Sequence, residues 1–417
     1  MLEEIKSAAR KAADARRLRG LVDDCRQLLS ARGEANSVAL ARELVDHFEA
    51  LPDPLRRGFF ARLASDFSPD PKQVLAAAQA YARSPGAANL LQLTNVTEPP
   101  RQELLRRINR TPGGTASIVA MRRSLLDALP AQPELASVEA DFLHLLSSWF
   151  NPGFLELVRV DWNAPAQLLE KLIRHEAVHQ IDGWDDLRRR LQPDRRCFAF
   201  FHPQLPSEPL IFVEVALLPD MPGAIAPLID KRSTPLDAAQ FKVAAFYSIS
   251  NCEPGLKSVS LGNFLIKRVA EELKRELPQL KTFCTLSPIP GFARWLKAGA
   301  ASEGLTAPRA TRLTQARACW LEAPDSDAGR QALLRLGAVY LALNAARPGG
   351  DPVARFHLDN GARLERLNPN ADLSSKGLAQ SNGMMVNYLY DLDRIETHHE
   401  QFTRGVVAHS RAVAALL

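Results

Sequence analysis

Paired cysteines are missing from this chain. Cys25, Cys197, Cys252, Cys284 and Cys319 are widely spaced, odd in number and without a CxxC pair, which argues against a disulfide framework or zinc finger and favours a reducing compartment. Long apolar runs are missing too: the longest, such as 210–218, fall far short of the roughly 20 residues a membrane span requires. Nor does one sign of charge dominate. The 52 basic residues face 47 acidic ones, a net +5, too small a surplus to coat a nucleic-acid backbone. The opening MLEEIKSAARKAADARRLRG spaces basic residues like a transit peptide, but Glu3, Glu4 and Asp14 disfavour one and no apolar signal core follows. The closing AVAALL is not a peroxisomal address. These absences lead to the expectation of a cytoplasmic protein with neither nucleic acid nor membrane as partner.

What is present is ample apolar content, 46% of 417 residues, enough for two or three domains at about 150 residues each. Residues 2–150 read as helical almost throughout, with Ala, Leu and Arg dominant and apolar residues three and four apart. Breaks fall at 51–54, 68–71 and 84–86, and Thr111-Pro112-Gly113-Gly114 separates two further helices. No fixed repeat appears, so the expectation is a helical bundle or hairpin array. After Asn151-Pro152-Gly153 the texture changes. Strands are predicted over 154–162, 196–202, 210–218, 243–250 and 282–286, and helices over 166–175 and 261–277. Beyond Phe292 helices return, including 329–344 and 374–389, with 348–352 as a loop between them. The fold class expected is α+β: an all-helical domain over 1–150 followed by a mixed α/β domain over 151–417.

Three segments carry chemistry. In TFCTLSPIPGFARW a buried-looking strand stops at Ser287, where Pro288 and Pro290 stiffen the turn and offer a directed hydroxyl at a strand end. In NCEPGLKSVSLGN, between a strand and an amphipathic helix, Gly255 and Gly262 allow close backbone approach and Lys257 adds a charge, an arrangement suited to a diphosphate but equally to an ordinary strand-to-helix loop. His357 precedes the turn Asp359-Asn360-Gly361 and suits proton donation, though a hydrogen-bonded histidine at a helix end has the same pattern. His202, His398 and His399 have weaker settings. A literal HExxH, His175 to His179 with Glu176, would bind zinc if helical, but the HxxGxxH extension fails at Asp182 and Asp185, so no metal is expected. The basic clusters at 16–19, 188–190 and 195–196 are solvated helix faces, with a phosphate site as the alternative for the last two.

The series FYSISNCEPGLKSVSLGNFLIKRV, TFCTLSPIPGFARWL and FHLDNGARLERLNPNADLSSKGLAQSNGMMVNYLYDL, with GFLELVRVDWNAPAQLLEKL and RRCFAFFHP, resembles the malonyl-CoA decarboxylase family in long, ungapped stretches and in the family's order. The resemblance runs from Gly153 to about Asp391; in the helical half it rests on RTPGGTASIVAMRRSLLDAL. It implies an N-terminal domain for self-association into a homotetramer and a catalytic domain resembling the acyl-CoA N-acyltransferase fold. It also implies conversion of malonyl-CoA to acetyl-CoA and carbon dioxide without metal or organic cofactor. By the same resemblance, Ser287 orients the carboxylate and His357 protonates the enolate carbon. Lys257, Ser258, Val259, Ser260, Leu261, Gly262 and Asn263, with Ser287 and His357, bind malonyl-CoA. Ser260 stands where many relatives have Glu, and His175 where relatives have Tyr or another residue, which makes the HExxH look like a chance completion. The rivals are an acyl-CoA-dependent N-acyltransferase and a noncatalytic CoA-binding protein.

Overall fold

The structure, a computed structural model, describes residues 2–417 except 31–35, 260, 262–264, 301–304, 346 and 348. It divides into two compact units. One comprises Met1–Leu155, His202–Pro206 and Glu253–Leu261; the other comprises Glu156–Phe201, Ser207–Cys252 and Gly262–Leu417.

The first unit is built from helices α1 (Leu2–Leu29), α2 (Ser37–Glu49), α3 (Asp53–Asp66), α4 (Pro71–Arg83), α5 (Ala87–Thr97), α6 (Pro100–Asn109), α7 (Gly114–Ala128) and α8 (Ala136–Trp149). Proline opens several of them because its missing N–H is an orphan in the first turn anyway. At α4, Asp70 adds a side-chain cap on Lys72 N at 2.9 Å. Between α6 and α7 the reversal needs glycine twice: Gly113 has φ +79°, and a Cβ on Gly114 would lie 1.9 Å from the Ile108 carbonyl oxygen. Phe48, Phe59 and Phe60 form an aromatic centre with ring centroids 5.4 to 6.0 Å apart. The α4–α5 hairpin differs from the rest: α4 buries only Ala77 and α5 buries nothing.

The second unit is organised on a sheet of β1 (Glu156–Val160), β2 (Arg195–Phe201), β3 (Ile211–Leu218), β4 (Val243–Asn251), β5 (Thr282–Thr285), β6 (Ser287–Pro288), β7 (Arg363–Asn368) and β8 (Met385–Leu389). The strand order is β1-β2-β3-β4-β5-β8-β6, with β7 on β8. Strands β2 to β4 are buried along nearly their whole length, which is why their sequences read as unbroken apolar runs. All neighbours are antiparallel except β4 and β5, which run parallel from Val243 opposite Thr282 to Phe246 opposite Thr285. A parallel pair needs a crossover, and the amphipathic helix Leu265–Glu276 lies between these two strands in sequence. Past Phe246 the strands part: Ser248 to Asn251 pair with β3, while the chain leaving β5 turns onto β8. Ser287 stands at that parting.

The α-helices of six or more residues in this unit are α9 (Ala166–His175), α10 (Trp184–Arg190), α11 (Leu265–Glu276), α12 (Phe292–Lys297), α13 (Ala307–Glu322), α14 (Asp327–Val339), α15 (Pro352–Asp359), α16 (Ser375–Ser381) and α17 (Ile395–Thr403). Two expectations need correction. The helix predicted over 374–389 ends at Ser381; Asn382 and Gly383, at φ +52° and +78°, reverse the chain into β8. The strand β7, unforeseen, pairs with β8, so an α-only ending is replaced by a strand pair that completes the sheet. The short apolar run MMVNYLY fits either period, and length alone did not decide it. A third correction concerns the basic clusters. Arg189 and Arg195 bind Asp194, Arg190 binds Asp186 and Glu214, and Arg196 binds Glu276, all as mostly buried ion pairs. These four are internal struts, neither solvated helix faces nor phosphate sites, while Arg188 is exposed over the Trp162 ring. Among the described residues no helix is long and apolar enough to cross a membrane.

Candidate active site

Ser287 and His357, seventy positions apart in sequence, meet in the second unit: Ser287 Oγ lies 3.0 Å from His357 Nε2. Both are buried, at 4% and 3% exposure. Ser287 also donates to Thr285 Oγ1 at 2.9 Å, and Thr285 Oγ1 receives the Tyr388 amide at 3.1 Å. On the far side of the imidazole, Nδ1 is 2.8 Å from the Tyr390 hydroxyl. One proton arrangement satisfies the whole chain. With the serine proton on Thr285, Nε2–H donates to Ser287 Oγ and Nδ1 accepts from Tyr390. Tyr388 stacks on the imidazole at 4.8 Å between centroids, its own buried hydroxyl lacking a hydrogen-bond partner among the described residues. Burial alone pushes His357 down to about 3, so the resting imidazole is neutral.

The turn and the helix that carry this pair are joined by Asp351. One carboxylate oxygen caps α15 by accepting from Val353 N and Ala354 N, each at 3.0 Å; the other accepts from Gly291 N at 2.9 Å, just beyond the Ser287 turn. Burial raises the Asp351 carboxyl, against the bonds from Ala354, Gly291, Val353 and the Tyr340 hydroxyl. A side chain at 291 would displace Tyr340: a Cβ there would sit 2.1 Å from that hydroxyl. A cleft of about 790 Å³ borders the turn, lined by Pro290, Gly291, Arg294, Trp295, Tyr340 and Arg347 among others. His357 itself lies in the last turn of α15, before the reversal, as a hydrogen-bonded histidine at a helix end. Sequence reasoning passed over Tyr390, Thr285 and Asp351. Only Asp351 left a signal, as an acidic cap before a proline-opened helix.

The segment after β4 belongs to the helical unit. Pro254–Leu256 forms a 3-10 turn with Gly255 N capped by Glu253 at 3.0 Å. Gly255 presses on α7, where a Cβ would lie 2.3 Å from the Val119 carbonyl oxygen. Lys257 and Ser258 are exposed, Ser258 with φ +65°, while Val259 and Leu261 are buried. Ser260, Gly262 and Asn263 lie outside the described residues.

The HExxH segment is not helical: α9 ends at His175. Glu176 instead accepts from the hydroxyls of Ser248 and Ser250 and from the amides of Val178 and His179. His179 is buried, its Nε2 without a hydrogen-bond partner among the described residues, and burial holds it down at about 4. No group of three or more metal ligands occurs among the described residues.

A helical half followed by a mixed sheet, with a serine and an imidazole in contact where two parallel strands part, defines the class: a two-part α+β protein. Residues 153–417 match the family described as "Malonyl-CoA decarboxylase C-terminal domain", and 67–150 match "Malonyl-CoA decarboxylase N-terminal domain". The chain belongs to the malonyl-CoA decarboxylase family of carboxy-lyases. It is 36% identical over 392 residues to the goose protein named "Malonyl-CoA decarboxylase, mitochondrial", covering 84% of this chain and 77% of that one. Over 391 residues it is 35% identical to the mouse protein of the same name, covering 84% and 79%. Among solved structures, malonyl-CoA decarboxylase from Rhodopseudomonas palustris superposes with TM-score 0.86 at 49% identity, covering 95% of this chain and 99% of that chain. The Agrobacterium vitis enzyme gives 0.84 at 47%, with the same coverage.

Two outcomes test this geometry. Tyr390→Phe leaves His357 Nδ1 buried and unsatisfied, so urea denaturation should show a stability loss of about 1–3 kcal/mol with an unchanged circular dichroism spectrum. For acid stability the sign follows from the two buried histidines. Their folded values, about 3 and about 4, lie below the ordinary 6.5 of the unfolded chain, so between those values only the unfolded chain binds the protons. The stability these two histidines contribute is therefore full above about pH 6.5 and is lost as pH falls through 4 toward 3. His179→Gln should flatten that slope in urea titrations by up to about 1.4 kcal/mol per pH unit.

Proposed function

We propose that this chain converts malonyl-CoA to acetyl-CoA and carbon dioxide, with Ser287 orienting the carboxylate and His357 protonating the carbon left behind. The observation that carries the assignment is the 3.0 Å contact between Ser287 Oγ and His357 Nε2. The bond between the carboxylate carbon and the methylene carbon breaks, carbon dioxide leaves, and the bonding pair becomes the enolate of the acetyl thioester. A serine hydrogen bond that holds the carboxylate out of the thioester plane aligns that bond for cleavage. A carboxylate docked beside His357 favours the imidazolium that burial otherwise opposes. That imidazolium gives its proton to the enolate carbon and returns to its neutral resting state.

Lys257, Ser258, Val259, Ser260, Leu261, Gly262 and Asn263 hold the coenzyme A portion in this reading, supported by the exposed Lys257 and Ser258 on a glycine-anchored turn. Neither metal nor organic cofactor takes part. Cytoplasmic residence fits the five cysteines, all free thiols. Incubation with malonyl-CoA and no amine acceptor should yield acetyl-CoA, which an N-acyltransferase or a noncatalytic CoA binder would not produce. Ser287→Ala and His357→Ala should each lower turnover by about 10² to 10⁴; undiminished turnover in either variant removes that residue from the mechanism.

Self-association as a homotetramer is part of the same proposal. The α4–α5 hairpin supports it, since Leu75, Leu90 and Leu91 are 59%, 46% and 63% exposed on helices that bury almost nothing of their own. Light scattering should return the mass of four chains, and a Leu90→Glu, Leu91→Glu variant a smaller one; an unaltered mass places the contact elsewhere.

A further inference from the structure

We propose that Arg122, a residue of the helical unit, is a positioning residue for the coenzyme A segment, acting through the backbone carbonyls of Gly255 and Lys257. The proposal rests on the reading that this segment holds the phosphates of the substrate. Arg122 lies on α7 and is 0% exposed, and a guanidinium so placed loses several kcal/mol of hydration that its partners must offset. Glu139 takes Nε at 3.1 Å and Nη2 at 2.6 Å. The remaining contacts go to the segment itself: Nη1 donates to the Gly255 carbonyl at 2.6 Å and Nη2 to the Lys257 carbonyl at 2.7 Å. The planar fork thus spans two carbonyls, a geometry that a lysine ammonium does not reproduce.

The purpose of this bracing lies in the sign of the ligand. A segment that receives a diphosphate must keep its carbonyl oxygens away from the anion. In 254–257 each of the four successive carbonyls already accepts an internal donor. Pro254 receives Lys257 N at 3.1 Å and Leu256 receives Val259 N at 3.0 Å; Arg122 supplies the other two. Close packing of Gly255 on Val119 fixes the same turn from beneath. Lys257 and Ser258 are left exposed, and the Arg122–Glu139 pair holds the backbone behind them.

The test compares two substrates: malonyl-CoA, and malonyl-pantetheine, which lacks the diphosphate. Arg122→Lys should raise KM for malonyl-CoA about tenfold or more, the scale of charge-assisted bonds lost, with kcat little changed and kcat/KM for malonyl-pantetheine unaffected. Gly255→Ala, which pushes the turn off Val119, should show the same selectivity and serves where Arg122→Lys fails to fold. Equal losses on both substrates, or none, overturn the proposal. Lys257→Ala separates the two layers: if it discriminates between the substrates and the Arg122 and Gly255 variants do not, only the positioning role fails. If Lys257→Ala does not discriminate either, the phosphate reading fails and the positioning role with it.

Discussion

The contact between Ser287 and His357 depends on one buried carboxylate. Asp351 binds the first amides of the helix that ends in His357 and, with its other oxygen, the Gly291 amide that follows the Ser287 turn. A helix start and a turn each leave N–H groups that water would satisfy at the surface; here one side chain satisfies both, which fixes their separation. The 3.0 Å contact of hydroxyl and imidazole follows from that constraint and from the pairing of Ser287 with Val386 on β8. Tyr340 and Gly291 complete the arrangement, the phenol occupying the space that any larger residue at 291 would need.

Among the described residues no carboxylate is hydrogen-bonded to the His357 imidazole. Its partners are a serine, a phenol and a stacked ring, none of which carries charge at neutral pH. Burial therefore acts unopposed and keeps the resting imidazole neutral. Charge enters such a site with a negatively charged ligand, so protonation and occupancy are coupled by the same electrostatics.

Much of this was legible in the sequence where a local signal and the tertiary outcome agree. Helix α9 was read at 166–175 and is Ala166–His175, because an amphipathic stripe begins after a proline and ends in basic residues. The strands read at 210–218 and 243–250 lie within a residue of β3 and β4, since apolar runs buried on both faces leave little alternative. Ser287 was singled out by its prolines. Legibility failed where pairing with distant residues decides. The β7–β8 pair was hidden because MMVNYLY follows a true helix and keeps its apolar density, and partners in 284–288 and 363–368 make it a strand. Tyr390 and Thr285 carry no local mark of a role at all. The HExxH shows the converse: its motif was complete, yet Glu176 is drawn to Ser248 and Ser250 and the helix stops before it.

Strand β8 brings Tyr388 and the adjoining Tyr390 to His357 from positions two apart, one stacked on its face and one bonded to its edge. Alternation along an extended chain makes that double approach a matter of register. Slippage by a single position would exchange both aromatic alcohols for Asn387 and Leu389, stripping the imidazole of its lid and its tether together. Insertions or deletions between Gly383 and Tyr390 are thus far more dangerous to activity than most replacements there, even where the sheet keeps its greasy interior.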